Sequence, residues 1–451
     1  MRIVILIGLL ILHLLILANL QFTAWPEMFS YPYLLNNGFN LYKDIALPYQ
    51  PVLVLLLSGI YKIFGMNLLT LQIFTSCIIL FSDFLIFLIS QKILGEKLLS
   101  LVPLALYIAI QPLTSGDMLW FDLATVPFIL LAIISLLNDK YFLFGVFLGG
   151  AFFIKQQVGV AIALVLIYLL LTKKFSNLFK SALGLLIIAL LVSLYVLKTG
   201  IINDYIFWTF TVPTVWYPKL PGYSNWPTFP QLIMISIIFL PGIVLTLKNL
   251  KTSRMSLKII LLFWIGLFIV AFPRFDYFRF QPALVAYIIL VALLLKKANI
   301  AILCLPILLA IFILSPDNLG NINLPTRFYG PGELALAKHI EQLSSTPDKI
   351  YLLGVPSIEY VLSNRLPPKP WVDNYVWYME IEGIQDKVLA GFQKEKPKLI
   401  LWKTPKSGNW YDLGVYQPQK IVEYIMINYE KTGNLNDGIE LWTIKKPVLS
   451  E

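Results

Sequence analysis

One polar stretch near the start of the chain carries the residue types of an acid–base site. It runs from Trp25 to Gly65 and holds two carboxylates, Glu27 and Asp44, among Tyr, Trp, Pro and Asn residues. A loop that only joined two apolar helices would not need this composition. We therefore expect the rest of the chain to hold this loop in the place where chemistry occurs.

Glu27 is a candidate general base, because a carboxylate held beside an acceptor hydroxyl takes up its proton as the new bond forms. Asp44 is suited to binding a cation or orienting the acceptor. Structural alternatives stay open for both residues. Glu27 would otherwise be a helix-end charge after Pro26, and Asp44 would form a salt bridge to Lys43 or Lys155.

Three cations later in the chain are candidates for binding a phosphate. Lys155 follows three apolar residues and precedes two glutamines, and a cation with amides suits a phosphate in a partly dry site. Arg274 and Arg279 flank Asp276, and two planar guanidiniums fit a phosphate or diphosphate. The alternatives are a lysine that extends to the membrane surface and an Arg–Asp surface pair.

The composition indicates a polytopic membrane protein. The 451 residues are 58% hydrophobic and 13% charged, whereas soluble domains are about half apolar and about a quarter charged. The apolar runs are continuous, as in membrane helices, and do not alternate as barrel strands do. No small-residue cleavage site follows the first run, so we expect an uncleaved first span.

Eleven apolar segments are candidate membrane helices. They are Ile3–Leu20, Asn67–Ser90, Leu98–Pro112, Leu119–Leu137, Tyr141–Ile154, Val158–Leu171, Ala182–Leu197, Pro230–Leu247, Leu257–Phe272, Gln281–Leu295 and Ala298–Leu314. The shorter run Val52–Gly65 predicts an interfacial or re-entrant helix. The expected fold is mainly α: a bundle of about eleven transmembrane spans in residues 1–315, then a small extracytoplasmic α/β domain in residues 316–451.

The distribution of Lys and Arg predicts the orientation. With the N-terminus in the cytoplasm, the short cytoplasmic loops hold most cations of the membrane part, in agreement with the positive-inside rule. The formal net charge of +10 is then a topology signal and does not suggest nucleic acid binding. We expect a multi-pass protein of the cell membrane, surrounded by membrane lipids, with the C-terminal domain outside the cytoplasm.

The C-terminal domain has more charges and short amphipathic segments. Helices are expected at Glu333–Leu343, Ile358–Ser363, Ile384–Lys394 and Gln419–Tyr429, and strands at Lys349–Leu353, Lys398–Trp402 and Glu440–Ile444. Alternating strands and helices favour an α/β domain. The chain's two cysteines, Cys77 and Cys304, lie in apolar segments and predict neither a disulfide nor a cysteine metal site.

On this topology, ionisable residues collect at the outer ends of the helices. The set is Glu27, Asp44, Asp117, Asp122, Lys155, Arg274, Asp276 and Arg279, with several tryptophans nearby. Charges at membrane depth are costly and face a cavity or one another. The set therefore predicts a polar site covered by aromatic side chains, and the alternative is ordinary loop charges in an interfacial aromatic belt.

The order of these motifs resembles the C-type (GT-C) membrane glycosyltransferases. This group includes the family 39 protein mannosyltransferases and the lipid A aminoarabinose and lipopolysaccharide-core sugar transferases. Two later motifs also match, F-x-K-Q-Q at Lys155 and R-F-D-Y-F-R-x-Q-P from Arg274 to Pro282. The matching residues of the first loop are Glu27, Gly38, Tyr42, Asp44, Ile45, Pro48, Tyr49, Pro51 and Gly65.

The resemblance implies inverting transfer of a sugar from a polyprenyl-phosphate donor to a glycan, lipid or protein acceptor at the outer membrane face. It implies catalytic roles for Glu27 and Asp44, and contacts to the donor phosphate for Lys155, Arg274 and Arg279. We expect Tyr42, Tyr49, Asp122, Gln156 and Asp276 to bind the substrates.

The chain also departs from the family's pattern. It has Pro26-Glu27 where many relatives have Asp or an Asp-Glu pair, and Gln50 where some have a basic residue. The involvement of a divalent cation and the identity of the residue that binds the donor phosphate are therefore left open, and no other cofactor is implied.

Two other functions are compatible with the composition. A transporter or lipid flippase would show inverted repeats and charge near the membrane midplane, whereas this sequence has no repeat and gathers its charges at one face. A non-catalytic membrane scaffold would use its outer domain for binding. We expect His13 and Asp83, inside apolar segments, to hydrogen-bond neighbouring helices rather than to conduct protons.

Overall fold

The computed structural model describes residues 1–95, 97–220, 223–249, 255–272, 274–296, 300–373, 376–403, 418–435 and 438–445. The α-helices of the first part are α1 (Arg2–Asn19), α2 (Glu27–Asn36), α3 (Val52–Phe64), α4 (Leu68–Leu94), α5 (Val102–Ile110), α6 (Phe121–Leu137), α7 (Tyr141–Phe152), α8 (Val158–Leu171), α9 (Phe175–Thr199), α10 (Ile202–Ile206), α11 (Phe229–Lys248), α12 (Met255–Ile269), α13 (Gln281–Leu294) and α14 (Ile300–Leu319). A π-helical segment, Phe207–Trp216, follows α10.

Each of the eleven predicted apolar segments forms a helix, and they correspond to α1, α4–α9 and α11–α14. Within the described ranges, five stretches are long and apolar enough to cross a membrane: α1, α4, α9, α11 and Tyr277–Leu294, which joins a short 3₁₀ turn to α13. The chain is a membrane protein. The number of helices that cross the membrane and the sides of the termini stay predictions.

Helix α13 occupies the interior of the bundle. Every residue from Gln281 to Ala292 is buried, and the helix packs against α4, α5, α6, α11 and α12. A helix that is apolar on all sides is stable inside a protein core or in lipid, and α13 is enclosed by other helices. This packing fixes the start of α13, where Arg279 lies in the preceding 3₁₀ turn.

The C-terminal part contains a four-stranded sheet with helices. Its elements are α15 (Pro331–Leu343), β1 (Ile350–Leu353), α16 (Ile358–Leu362), α17 (Val376–Met379), α18 (Ile384–Lys394), β2 (Leu399–Lys403), α19 (Gln419–Asn428), β3 (Tyr429–Asn434) and β4 (Ile439–Ile444). The sheet order is β1-β2-β4-β3; β1 and β2 are parallel, and the other two pairs are antiparallel. The expected small α/β domain is confirmed.

One strand of this sheet, β3, was not predicted. Its sequence, Tyr-Glu-Lys-Thr-Gly-Asn, is polar and lacks the alternation of apolar residues that marks a half-buried strand. It lies at the edge of the sheet, where charged residues are common because they discourage pairing with other chains.

The C-terminal part packs directly on the loop between α1 and α3. The Trp371 amide donates to the Asp44 carbonyl at 2.8 Å, and the Ala46 amide donates to the Trp371 carbonyl at 3.2 Å. The segment after α14 also pairs with the residues before α2, since the Ala24 amide donates to the Arg327 carbonyl at 3.1 Å. Buried residues of both parts form one hydrophobic cluster, so the loop has a fixed shape.

Candidate active site

A buried ion pair joins α6 to the turn between α7 and α8. The Lys155 ammonium donates to the Asp122 carboxylate, and the two side chains are 3% and 4% exposed. Asp122 lies in the first turn of α6. Burial lowers the pKa of Lys155 to about 8, although Asp122 acts in the opposite direction. This pair needs each partner to stay ionised, because an isolated buried charge is costly.

Tyr49 lies at the point where the charged residues converge. Its ring stacks on Phe121 at 4.0 Å between centroids and meets Trp120 edge-on at 5.9 Å. Burial raises the pKa of the Tyr49 hydroxyl, and four charged side chains from distant segments are close enough to modify this pKa. These side chains are Arg279, Asp122, Arg274 and Glu27.

The two arginines approach this centre from the segment before α13. The Arg274 guanidinium lies 5.4 Å from the centroid of the Tyr223 ring. The backbone beside it is fixed, since the Phe275 amide donates to the Asn225 carbonyl at 2.6 Å. The charge of Arg279 acts on both Lys155 and Tyr49. The two arginines therefore lie on the same side of the bundle as Lys155.

Glu27 begins α2 and is buried, with 2% of its surface exposed. A carboxylate in the first turn is favoured by the helix dipole. Trp25, two residues earlier, contacts Trp120 at 5.4 Å between centroids and donates its indole N–H to the Met118 sulfur at 2.8 Å. These contacts hold the start of α2 against the loop before α6, near Asp122.

Several buried polar atoms around this centre have no hydrogen-bond partner within the described residues. They include Oδ2 of Asp122, Nε of Arg279 and Nε1 of Trp120. A buried polar atom without a partner costs about 1–3 kcal/mol. Atoms of this kind concentrated in one place indicate a site that a polar ligand completes.

Other predicted residues lie around the centre and support it. The Tyr42 hydroxyl donates to the Tyr49 carbonyl at 3.0 Å. Tyr42 has a φ of 67°, a left-handed conformation that a bulky residue adopts only where its surroundings enforce it. The Gln156 side-chain amide donates to the Pro48 carbonyl at 2.7 Å. Asp276 is exposed and close enough to Arg279 for their charges to interact.

Asp44 makes contacts of a different kind. Its carboxylate accepts hydrogen bonds from the Asn40 backbone amide at 2.9 Å and from the Asn40 side chain at 3.2 Å. Its second partner is the Lys369 ammonium of the C-terminal domain, at 3.8 Å. The expected salt-bridge partners were Lys43 and Lys155. These contacts order the loop, and the catalytic role of Asp44 stays a prediction.

Sequence reasoning placed Trp120 only among the aromatic residues near the predicted site and gave Tyr223 no individual role. Trp120 contacts Trp25, Tyr49, Phe121 and Phe278 in the centre of the aromatic group. The available signal for Trp120 was its position two residues before Asp122. Tyr223 had no such signal, because its contact with Arg274 joins segments that show no shared pattern.

His13 and Asp83 lie together inside the bundle. Nδ1 of His13 is 2.7 Å from Oδ2 of Asp83, and Nε2 is 3.2 Å from Oε1 of Gln111. Their side chains therefore join α1, α4 and the end of α5.

No family model matches the sequence, and no curated protein matches it either. Solved structures do match. ArnT from Cupriavidus metallidurans bound to undecaprenyl phosphate is 10% identical, with a TM-score of 0.62 over 98% of this chain and 97% of that chain. The apo oligosaccharyltransferase from Archaeoglobus fulgidus is 11% identical, with a TM-score of 0.55 over 98% of this chain and 74% of that chain. The chain has the GT-C fold.

The expected resemblance to GT-C proteins is thus confirmed at the level of the fold, which is what an identity of 10–11% supports. Two further structures of this fold were solved with ligands bound. The Archaeoglobus fulgidus oligosaccharyltransferase AglB was solved with an inhibitory peptide and a dolichol-phosphate, and the same organism's oligosaccharyltransferase with Zn and sulfate. Both have a TM-score of 0.53 to this chain.

A metal site is not formed by the described residues of this GT-C chain. Among them, no group of three or more His, Cys, Asp and Glu side chains could hold an ion. One oxygen of Asp122 is already paired with Lys155. A divalent cation at Glu27 and Asp122 would therefore need water molecules and substrate phosphate oxygens as its other ligands.

Proposed function

We propose that the protein is a membrane glycosyltransferase that moves a sugar from a polyprenyl-phosphate donor to a glycan, lipid or protein acceptor. The observation that supports this most directly is the convergence of Glu27, Asp122, Arg274 and Arg279 around Tyr49. Solved GT-C proteins of similar fold were bound to undecaprenyl phosphate or to a dolichol-phosphate. A donor with a lipid tail suits a site at the end of a membrane bundle.

Glu27 acts as the general base in this proposal. The acceptor oxygen attacks the anomeric carbon from the face opposite the phosphate, and its proton passes to the Glu27 carboxylate. The bond between the anomeric carbon and the phosphate oxygen breaks, and its electron pair stays on that oxygen. The products are the glycosylated acceptor with inverted configuration and the polyprenyl phosphate.

Lys155, Arg274 and Arg279 stabilise the leaving phosphate. Negative charge on that phosphate grows as the bond breaks, and fixed cations placed beforehand lower the barrier without reorganisation. Asp122 keeps Lys155 in position and ionised. Nε of Arg279, which has no partner within the described residues, is a donor available to a phosphate oxygen.

The surrounding residues exclude water and position the substrates. Trp120, Tyr49 and Phe121 form an aromatic wall, and Tyr42 and Gln156 fix the backbone on either side of Tyr49. We propose that residues 316–451 form an extracytoplasmic domain that covers this site and selects the acceptor, and that residues 1–315 form the transferase part with a cytoplasmic N-terminus. No step of this proposal is assigned to a divalent cation.

The test is transfer from radiolabelled polyprenyl-phosphate sugars by the purified protein in lipid nanodiscs. Glu27→Gln is expected to lower the rate at least about 100-fold, the usual effect of removing a general base, with unchanged thermal stability. Glu341→Gln, at an exposed carboxylate, is the matched control and should keep full activity. Full activity in Glu27→Gln would refute its role as base, and no release of polyprenyl phosphate by the wild type would refute the function.

A further inference from the structure

Two hydrogen bonds attach the turn between α7 and α8 to Pro48 and to Val52, the first residue of α3. The Gln156 side-chain amide donates to the Pro48 carbonyl at 2.7 Å, and the Val52 amide donates to the Phe153 carbonyl at 3.2 Å. Gln50 lies between these two points in the chain. It is therefore close to the turn that contains Lys155.

Three glutamines at this place have unsatisfied polar atoms. Gln50 is fully buried, and its Oε1 accepts a hydrogen bond from the Tyr205 hydroxyl at 2.7 Å. Its Nε2 has no partner among the residues that the structure describes, and the same holds for Oε1 of Gln156 and of Gln157. Buried polar atoms are nearly always hydrogen-bonded in native proteins, so a group of exceptions indicates a missing ligand or water.

The same helical segment holds two of these side chains. The Tyr205 hydroxyl bonds Gln50, and the carbonyl of Thr209, four residues later, accepts from the Gln156 amide at 3.1 Å. Gln50 and Gln156 are consequently both held against the same short stretch of the chain, which runs from α10 into the π-helical segment.

The unsatisfied atoms are one N–H donor and two carbonyl acceptors, and none carries a charge. A sugar hydroxyl both donates and accepts, so it can satisfy atoms of both kinds. A charged sugar would need a countercharge, and Asp122, the carboxylate that contacts this turn, is already paired with Lys155. We propose that Gln50, Gln156 and Gln157 form a subsite that binds the hydroxyl groups of an uncharged donor sugar.

The proposal of this subsite rests on the proposed function and specifies the class of sugar that the donor carries. Gln156 directly follows Lys155, so a sugar in the subsite lies next to a phosphate held by Lys155. The polyprenyl chain then extends from the other side of the phosphate. Gln50 and its neighbours are specificity-determining residues, since they contact the part of the donor that differs between sugars.

The test compares two lipids, undecaprenyl phosphate and undecaprenyl-phosphate glucose, by their dissociation constants from the full-length protein in nanodiscs. The wild type is expected to bind the glucose conjugate about tenfold more tightly than the bare phosphate, the range for one or two hydrogen bonds. Gln50→Glu keeps the acceptor for Tyr205 and removes the free donor. This variant should bring the ratio of the two dissociation constants close to one, even if its charge weakens the binding of both lipids.

Tyr205→Phe is the control for this contact, because it removes the Tyr205–Gln50 hydrogen bond and leaves the Nε2 donor of Gln50 in place; it should keep most of the wild-type ratio. Lys155→Met separates the two proposals. If Lys155→Met weakens both lipids and Gln50→Glu leaves the ratio unchanged, the subsite is refuted and the proposed function stands. If undecaprenyl phosphate shows no saturable binding to the wild type, the proposed function is refuted along with the subsite.

Discussion

Lys155 and Asp122 are 33 residues apart in the chain and form an ion pair with almost no exposed surface. The pair connects α6 to the turn after α7 and lies within electrostatic reach of Arg279. A pair of this kind contributes little net stability, because desolvation offsets the attraction. In this protein it holds the Lys155 ammonium at a fixed position against Asp122, whose charge acts on Tyr49.

Lys155→Met is expected to destabilise the protein by about 3–5 kcal/mol, since it leaves the Asp122 carboxylate buried without its partner. The double variant Asp122→Asn/Lys155→Met should recover most of this loss and remain inactive in transfer. Thermal unfolding of the purified protein measures the first effect and the transfer assay the second. Lys62→Met, at an exposed lysine, serves as control, and wild-type stability in Lys155→Met would contradict the prediction.

The contacts of Asp44 give a way to separate loop ordering from chemistry. If Asp44 only orders the loop, Asp44→Asn and Lys369→Met should each lower transfer a few-fold. The pair is partly exposed, with its charged atoms 3.8 Å apart, and such pairs are worth about 0–1 kcal/mol. The double variant should lose no more transfer activity than the product of the two single losses. A loss of about 100-fold or more in Asp44→Asn alone would instead support the catalytic role.

Glu359 makes stability depend on pH. It is buried in α16, neither of its carboxylate oxygens has a hydrogen-bond partner within the described residues, and burial together with the Glu333 charge raises its pKa to about 9. The folded state then holds a proton that the unfolded state releases above its ordinary pKa of 4.5. The contribution of Glu359 to stability is therefore full below about pH 4.5 and falls by about 1.4 kcal/mol per pH unit as the pH rises towards 9.

Glu359→Gln removes this titration and should unfold at a higher temperature than the wild type at pH 8. At pH 5 the unfolding temperatures of the two proteins should differ much less. Glu341→Gln, on the exposed face of α15, should unfold at the wild-type temperature at both pH values. Parallel melting curves for wild type and Glu359→Gln across this range would show that Glu359 is ionised in the folded protein.

Much of the fold follows from local pattern. Continuous apolar runs predicted the bundle helices, and short amphipathic segments predicted most of the C-terminal domain. The unpredicted strand β3 depends on pairing with β4 rather than on its own composition. Local periodicity therefore identifies elements that bury their own apolar residues and fails for those that neighbours stabilise.

The candidate site was predictable in part. Residue chemistry and topology placed Glu27, Asp122 and the three cations on one side of the bundle. In the structure the charges of Glu27, Asp122, Arg274 and Arg279 act on Tyr49, and Lys155 pairs with Asp122. The partner of Asp44 was not predictable, because Lys369 belongs to a domain far along the chain. Contacts of this kind depend on how domains dock, which no short-range pattern encodes.

The docking of the first loop has a consequence for biosynthesis. The Lys369 ammonium donates to the carbonyl of Gly38, a residue 331 positions earlier, at 2.6 Å. The Trp371 backbone pairs with the backbone of Asp44 and Ala46 in the same loop. A ribosome translates this loop long before it makes the segment that gives the loop its shape. The loop can therefore take its final shape only after the segment around Lys369 has been translated.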